Sequence, residues 1–198
     1  MNIAGVNRGY LKIEGAARAF NFDFKNKTVL DIGSSTGGFT EYALNHGAKK
    51  VIAVEKGSHQ MKAPLRFDPR IELHEKTDIF DVEVESGRTQ PEKVFICTPD
   101  TIVADVSFIS LTKILSYAKN NLADKCTDFL IMLKPQFEAR PDQLRNGVVK
   151  NETIRRQIIK QFEYWLKVNN YLIIKKHDNS LHGKTGNIER FYYLKLAK

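Results

Sequence analysis

An open, mostly parallel α/β sheet, with helices on both faces and a C-terminal antiparallel hairpin, is the fold this sequence predicts. Three observations carry the expectation. Apolar strand-like runs alternate with helix-period segments along most of the chain. A small-residue turn, "GSSTGG", joins the first such run to the helix after it. The last two runs are separated by a short glycine-containing loop, which pairs them antiparallel.

The elements follow in order. Residues 9–20, "GYLKIEGAARAF", put Leu11, Ala16, Ala17 and Phe20 on roughly one helical face. "TVLDI" (28–32) reads as a buried strand, and "TGGFTEYALNHG" as a helix closed by Gly47. "KKVIAVE" is a second strand, "HQMKAPLRF" a short helix ended or kinked near Pro64, and "RIELHEK" a third strand. Residues 81–100 form either a helix and loop or a small hairpin. "TIVADVSF" is a strand, "SLTKILSYAKNNL" a helix, "DFLIMLK" a strand and "PQFEARPDQLRNGVVKN" a loop. "ETIRRQIIKQFEYWLKVNN" is a long amphipathic helix with Ile154, Ile158, Phe162, Trp165 and Leu166 on one face. "YLIIKKH" and "IERFYYLKL" close the sheet around a loop holding Gly183 and Gly186. No repeat or linker interrupts this series, so 1–198 is expected to be one domain, with the N-terminal helix in 1–27 carrying Lys12.

Composition narrows the function classes. Hydrophobic residues make up 42% and charged residues 27%, the proportions of a soluble globular protein. Apolar runs fall far short of the ~20 residues a membrane-crossing helix needs. Charges interrupt "MNIAGVNRGYLKIEGA" before a secretory h-region can form. The expected location is the cytoplasm. Cys97 and Cys126 make neither a disulfide framework nor a metal spacing, and read as reduced core thiols. His182 in "LHGKTGN" reads as a surface residue, and no metal is expected. The net charge of +8 is unevenly placed. Residues 1–118 hold 15 Lys+Arg and 15 Asp+Glu, whereas residues 119–198 hold 16 and 8. A basic C-terminal part beside a neutral ligand-binding part suits a polyanion-binding enzyme. A solvated lysine-rich surface is the competing reading.

Gly33, Gly37 and Gly38 follow a strand and open a helix, where they permit a tight turn and close approach of backbone N–H groups to a ligand. The pattern is G-x-x-x-G-G rather than the G-x-G-x-x-G of dinucleotide enzymes. Asp31 precedes the turn, and Glu55 ends the next strand, placed to accept hydrogen bonds from both hydroxyls of a ribose. An acid so near the turn repels a pyrophosphate but suits the cationic methionyl end of S-adenosylmethionine. Ser34, Ser35 and Thr36 supply the rest of the cradle. Phe39 is grouped with them, although helix packing is the stronger reading of it. Asp78, after the third strand, is a candidate contact for the adenine amino group, or simply a loop residue.

The motifs "LDIGSSTGGFTEYAL", "ADVSFISLTKIL", "LKPQFEA", "NGVV" and "GNIE", in that order and spacing, resemble the haemolysin-A (TlyA) family. The resemblance runs from about Arg8 to Leu196. It implies a Rossmann-like, FtsJ/RrmJ-type methyltransferase fold and 2′-O-methylation of ribosomal RNA, of cytidines, with S-adenosylmethionine as donor. It further implies a Lys-Asp-Lys-Glu tetrad, which the motifs place on Lys12, Asp105, Lys134 and Glu189. A ribose hydroxyl is a poor nucleophile until its proton is directed away. Lys134 emerges from the apolar run "FLIML", where desolvation and the nearby Lys12 are expected to make it a proton acceptor. Asp105 is expected to orient Lys134 and the methyl donor, and Glu189 to hold Lys12 or the hydroxyl. Arg8, Arg140, Arg145, Lys150, Arg155 and Arg156 are the expected RNA contacts. Phe137 and Glu138 either shape the substrate mouth or pack.

The sequence departs from the family at several points. "NRGYLKI" stands for "SRGGLKL" and "LRNGVV" for "GKGGVV", and Glu55 stands where Asp is common. Members usually begin with an S4-type RNA-binding domain, which residues 1–198 do not supply, so substrate capture is expected to fall to the catalytic domain or to a missing part. The competing functions are a membrane-active cytolysin, a non-catalytic RNA-binding relic and a small-molecule methyltransferase. The first has no spanning segment behind it, and the charge split argues against the last.

Overall fold

The computed structural model describes residues 7–85, 93–179, 181 and 186–197. Its strands are β1 (Thr28–Ile32), β2 (Lys50–Glu55), β3 (Ile71–Glu75), β4 (Val82–Val84), β5 (Val94–Ile96), β6 (Thr101–Ala104), β7 (Asp128–Leu133), β8 (Tyr171–Asp178) and β9 (Arg190–Leu196). The helices are α1 (Arg8–Phe20), α2 (Gly38–Asn45), α3 (Leu111–Asn121), α4 (Pro135–Glu138) and α5 (Glu152–Val168).

Seven strands form one sheet in the order β3-β2-β1-β6-β7-β9-β8. All neighbours are parallel from β3 to β7, and β9 runs antiparallel to both β7 and β8. The expected architecture is therefore present. The chain leaves β1 towards one edge and returns to β6 towards the other. The carboxyl ends of β1 and β6 consequently flank the switch point, where sheets of this kind hold their ligands.

The central strands β1, β2, β6 and β7 are buried on both faces because their residues alternate between two cores, whereas the edge strand β8 is mostly exposed. Leu30, Ile32, Ile52, Ile102, Phe129 and Ile131 pack with α3 and α5. Val29, Val51, Val103, Leu130, Met132 and Phe191 pack with α1 and α2. Each long helix is started by a side chain that accepts an orphan amide of the first turn. Asn7 accepts from Gly9, Ser110 from Thr112, and Asn151 from Thr153 and Ile154.

Several expectations are corrected. The segment 59–67 holds only a single 3-10 turn, Leu65–Phe67, because Pro64 lacks the N–H a longer helix needs there. In α1 the buried face includes Lys12 and Ile13, while Leu11 is only half-buried. Within 81–100 the described residues contain β4 and β5, which pair parallel and so cannot be a hairpin. The loop 135–151 contains the short helix α4, opened by Pro135 at a position where proline is pre-shaped for it. Cys97 and Cys126 are exposed rather than core thiols. Gly183 and His182 lie outside the described residues. Among the described residues, no helix is long and apolar enough to cross a membrane, and no group of three or more His, Cys, Asp or Glu could hold a metal ion.

Candidate active site

Two cavities open at the switch point and share Gly33, Ser35, Asp105, Ser107 and Phe108 in their walls. The larger, of 1780 Å³, is lined by Lys12, Asp31, Asp105, Lys134 and Glu189 together with the glycine turn. The smaller, of 730 Å³, is lined by Glu55, Asp78, Ile79, Val106 and Ile109 among others. Residues spread from 12 to 189 along the chain thus meet in one place.

The turn itself is built by close approach. Gly37 has φ +86°, and a Cβ there would lie 2.5 Å from Leu65 Cδ2. A Cβ on Gly38 would lie 2.6 Å from Asn7 Oδ1 and 2.8 Å from Gly9 Cα. Only glycine lets the start of α1 and the loop before β3 seat against the turn from its two sides. Asn7 Nδ2 donates to Thr36 Oγ1 (2.9 Å), which ties α1 to the turn.

Asp31 is fully buried at the end of β1. Thr40 Oγ1 donates to its Oδ2 at 2.6 Å, while Oδ1 and the buried Ser34 Oγ have no hydrogen-bond partner within the protein. Burial, reinforced by the charges of Asp105 and Glu55, pushes the Asp31 carboxyl up to about 7. A buried acid kept half-satisfied is costly unless a donor or cation completes it. The Glu55 carboxylate is engaged differently, accepting from Ser35 N (2.9 Å) and Gly57 N (2.6 Å). Asp78 accepts from Phe80 N (3.3 Å) and pairs with Lys56 (2.8 Å), whose ammonium holds it below the usual carboxylate range. Phe39 is buried against Phe191 in the core and also borders the larger cavity.

The two lysines are held by separate carboxylates. Lys12 Nζ lies 2.6 Å from Glu189 Oε2, with both side chains almost wholly buried. Lys134 Nζ lies 2.6 Å from Asp105 Oδ1 and 2.8 Å from Ser107 Oγ. Both ion pairs are close by distance, but neither carboxylate oxygen is met along a hydrogen-bonding direction, so charge rather than aligned bonding holds them. Beyond Lys134 stand Phe137 and Phe108, ring centroids 5.1 Å apart. Phe108 is 92% exposed and has φ +63°, a strained backbone for a bulky residue. Glu138 faces away from the mouth, accepting from Ser110 Oγ and Leu111 N at 2.6 Å to start α3, so packing is its role.

Glu189 is fixed through its neighbours. Arg155 Nε donates to Ile188 O (3.3 Å), and its Nη2 donates to Asp178 Oδ1 (2.7 Å). Asn187 donates to Gly147 O (3.1 Å) and accepts from Val149 N (3.1 Å), which joins "NGVV" to "GNIE". Arg155 is only 6% exposed. It is therefore corrected from an RNA contact to an internal tie, since its guanidinium is spent on Asp178 and a carbonyl. The remaining candidate contacts, Arg8, Arg140, Arg145, Lys150 and Arg156, are exposed. Only Arg8 borders the larger cavity, while Arg140 is clamped by Asp142 and Arg156 pairs with Glu152. Sequence reasoning missed Thr40, Ser107 and Asn187. A hydroxyl in the first turn of the helix after the turn, and a serine two residues beyond Asp105, were the available signals.

Residues 5–196 match the FtsJ-like methyltransferase model. The chain belongs to the FtsJ-like methyltransferase family. This member is 36% identical over 190 residues to the 23S rRNA (cytidine-2′-O)-methyltransferase TlyA of Campylobacter jejuni, a match covering 95% of this chain and 70% of that one. It is 35% identical over 189 residues to hemolysin A of Brachyspira hyodysenteriae, covering 95% and 75%. A solved structure described as a hemolysin of Streptococcus thermophilus superposes with a TM-score of 0.87 at 32% identity, over all of this chain and 69% of that one. The haemolysin-A (TlyA) resemblance carried by the motifs is thereby borne out.

Proposed function

We propose that this methyltransferase moves a methyl group from S-adenosylmethionine to the 2′-hydroxyl of a cytidine in ribosomal RNA, in the cytoplasm. The observation that carries the reading is the convergence of Lys12–Glu189 and Lys134–Asp105 on one cavity beside Asp31. The names of the relatives support the substrate.

The residues suit the donor. Asp31 Oδ1 and Ser34 Oγ are buried polar atoms at the cavity that lack a protein partner, and a sulfonium or amino group beside Asp31 relieves its burial. Glu55 and Asp78 in the smaller cavity, with Val106, Ile79 and Ile109 as apolar walls, suit a ribose and an adenine. When bound, the donor supplies an electrophilic methyl group on a cationic sulfur. The rest is the work of this chain. A neutral lysine has two N–H groups and one lone pair. One N–H of the free amine donates to Ser107 Oγ, and Asp105 stands beside the nitrogen as a counter-charge rather than an aligned acceptor, so the lone pair takes the hydroxyl proton as the oxygen attacks. The ammonium that results is stabilised by Asp105. Lys12, neutralised by Glu189, hydrogen-bonds the ribose without adding net charge. Positioning the oxygen in line with the methyl supplies much of the rate. Phe108 and Phe137 offer stacking faces to the base at the mouth.

The test is transfer of labelled methyl to ribosomal RNA, with ribose-methylation mapping of the product. Wild type is expected to modify a cytidine 2′-oxygen. Labelling of a base, or none at all, would count against the proposal.

A further inference from the structure

The larger cavity exceeds what the reacting groups need. Ligand clefts commonly measure roughly 300–1,000 Å³, yet this one measures 1780 Å³, and the adenosine side has a 730 Å³ cavity of its own. Part of the excess lies away from the lysine pairs, between the start of α1 and the loop before β3, where Arg8, Lys62 and Phe67 line the wall. Both sides are rigidly based. The loop abuts the glycine turn where Leu65 meets Gly37, and α1 abuts it where Gly9 meets Gly38.

Phe67 is 74% exposed, an unusual setting for a phenyl ring, which gains from burial. The ring nonetheless has a cationic neighbour on an ordered base. Arg66 lies over it at 5.8 Å, and Arg66 is itself fixed by Met61 O (3.2 Å) and Glu75 Oε2 (3.4 Å). Phe67 N donates to Pro64 O, and Arg66 N to Lys62 O, so the backbone beneath the ring is ordered. An aromatic face on a fixed base, with cations beside it, is how single-stranded nucleic acid is gripped without base pairing. Glu41 and Asp68 also line the arm, but Asp68 is neutralised by a two-pronged contact with Arg70.

We propose that this arm binds the nucleotide next to the methylated one, its base stacked on Phe67 and its phosphate against Lys62 and Arg8. The proposal rests on the RNA-methyltransferase reading above and adds a path for the strand that the basic C-terminal residues do not provide.

Two measurements test it. In Phe67→Trp, addition of a single-stranded oligoribonucleotide of about ten nucleotides is expected to quench the new indole emission saturably. In Phe67→Ala/Lys62→Ala, KM for the RNA substrate is expected to rise on the order of tenfold, the size of one lost base stack, with kcat and S-adenosylmethionine affinity unchanged. Phe67 is exposed, so a thermal melt should show both variants folded. If the wild type methylates RNA and the double variant keeps its KM, the arm is not a nucleotide site. If the wild type methylates no RNA, the function proposal fails and the quench alone decides: saturable quenching keeps the arm as a nucleotide site, and its absence removes it.

Discussion

Asp31 concentrates the physics of the site in a single side chain. Its carboxyl is fully buried and raised from 3.8 to about 7. Below about pH 4 the group is protonated both folded and unfolded, so it costs nothing. Between about pH 4 and pH 7 only the unfolded chain ionises it, and folding loses ground, until above pH 7 the full cost remains. An upward move of about three pH units corresponds to roughly 4 kcal/mol. Asp31→Asn should therefore raise the ligand-free unfolding free energy at pH 8 by a few kcal/mol and leave it nearly unchanged at pH 4, while abolishing tight S-adenosylmethionine binding. Chemical denaturation at the two pH values checks the first part and calorimetry the second. Equal stabilisation at both pH values would remove the carboxyl's charge as the cause. The Lys12–Glu189 pair makes the complementary case. Removing one partner of a buried pair costs about 3–5 kcal/mol, so Glu189→Ala should lower stability by that order, and Lys12→Met/Glu189→Met should recover most of it while staying inactive. Asp31 and the tetrad were legible as motif residues. Thr40 and Ser107 offered only their positions near Asp31 and Asp105 in the chain, and which charge each hydroxyl meets is decided when the fold brings the two together.

At the scale of elements, α5 shows how a correct helix can carry a misread residue. Its apolar spacing places Ile158, Phe162 and Leu166 in the core as expected. Arg155 falls on the same buried side, one residue beyond Ile154, and charge alone could not distinguish that side from the solvent side. Its contact with Ile188 O makes it a tie for the start of β9. Arg155→Gln should lower kcat by about tenfold or more, as misplacement of a reacting group does, and leave the salt dependence of RNA binding unchanged. A phosphate contact would instead flatten that dependence by about one power of salt. The central strands were legible because two-face burial writes continuous apolar runs, and the glycine turn because its backbone permits nothing else. The 59–67 segment was not, since its helical spacing is overridden by Pro64. The β4–β5 pairing was not either, since three-residue strands carry no period to read.

Over the whole molecule, charge and cavity divide the labour. The excess positive charge lies in residues 119–198, and there Arg145 and Lys150 are exposed on the loop leading from α4 to α5. Their substitution by Gln should weaken RNA binding at every sequence tested and reduce the salt slope by about one each. S-adenosylmethionine affinity should not move. A sequence-selective loss would mean that these residues read bases rather than phosphates. The central claim is that Lys134, set by Asp105 and Ser107, takes the proton from the attacking ribose hydroxyl. Single-turnover methyl transfer by Lys134→Met, at saturating donor and RNA, tests it most directly. The expected result is a loss of at least about a hundredfold, the usual worth of a positioned base, with both ligands still bound. A rate within about twofold of wild type under those conditions would contradict it.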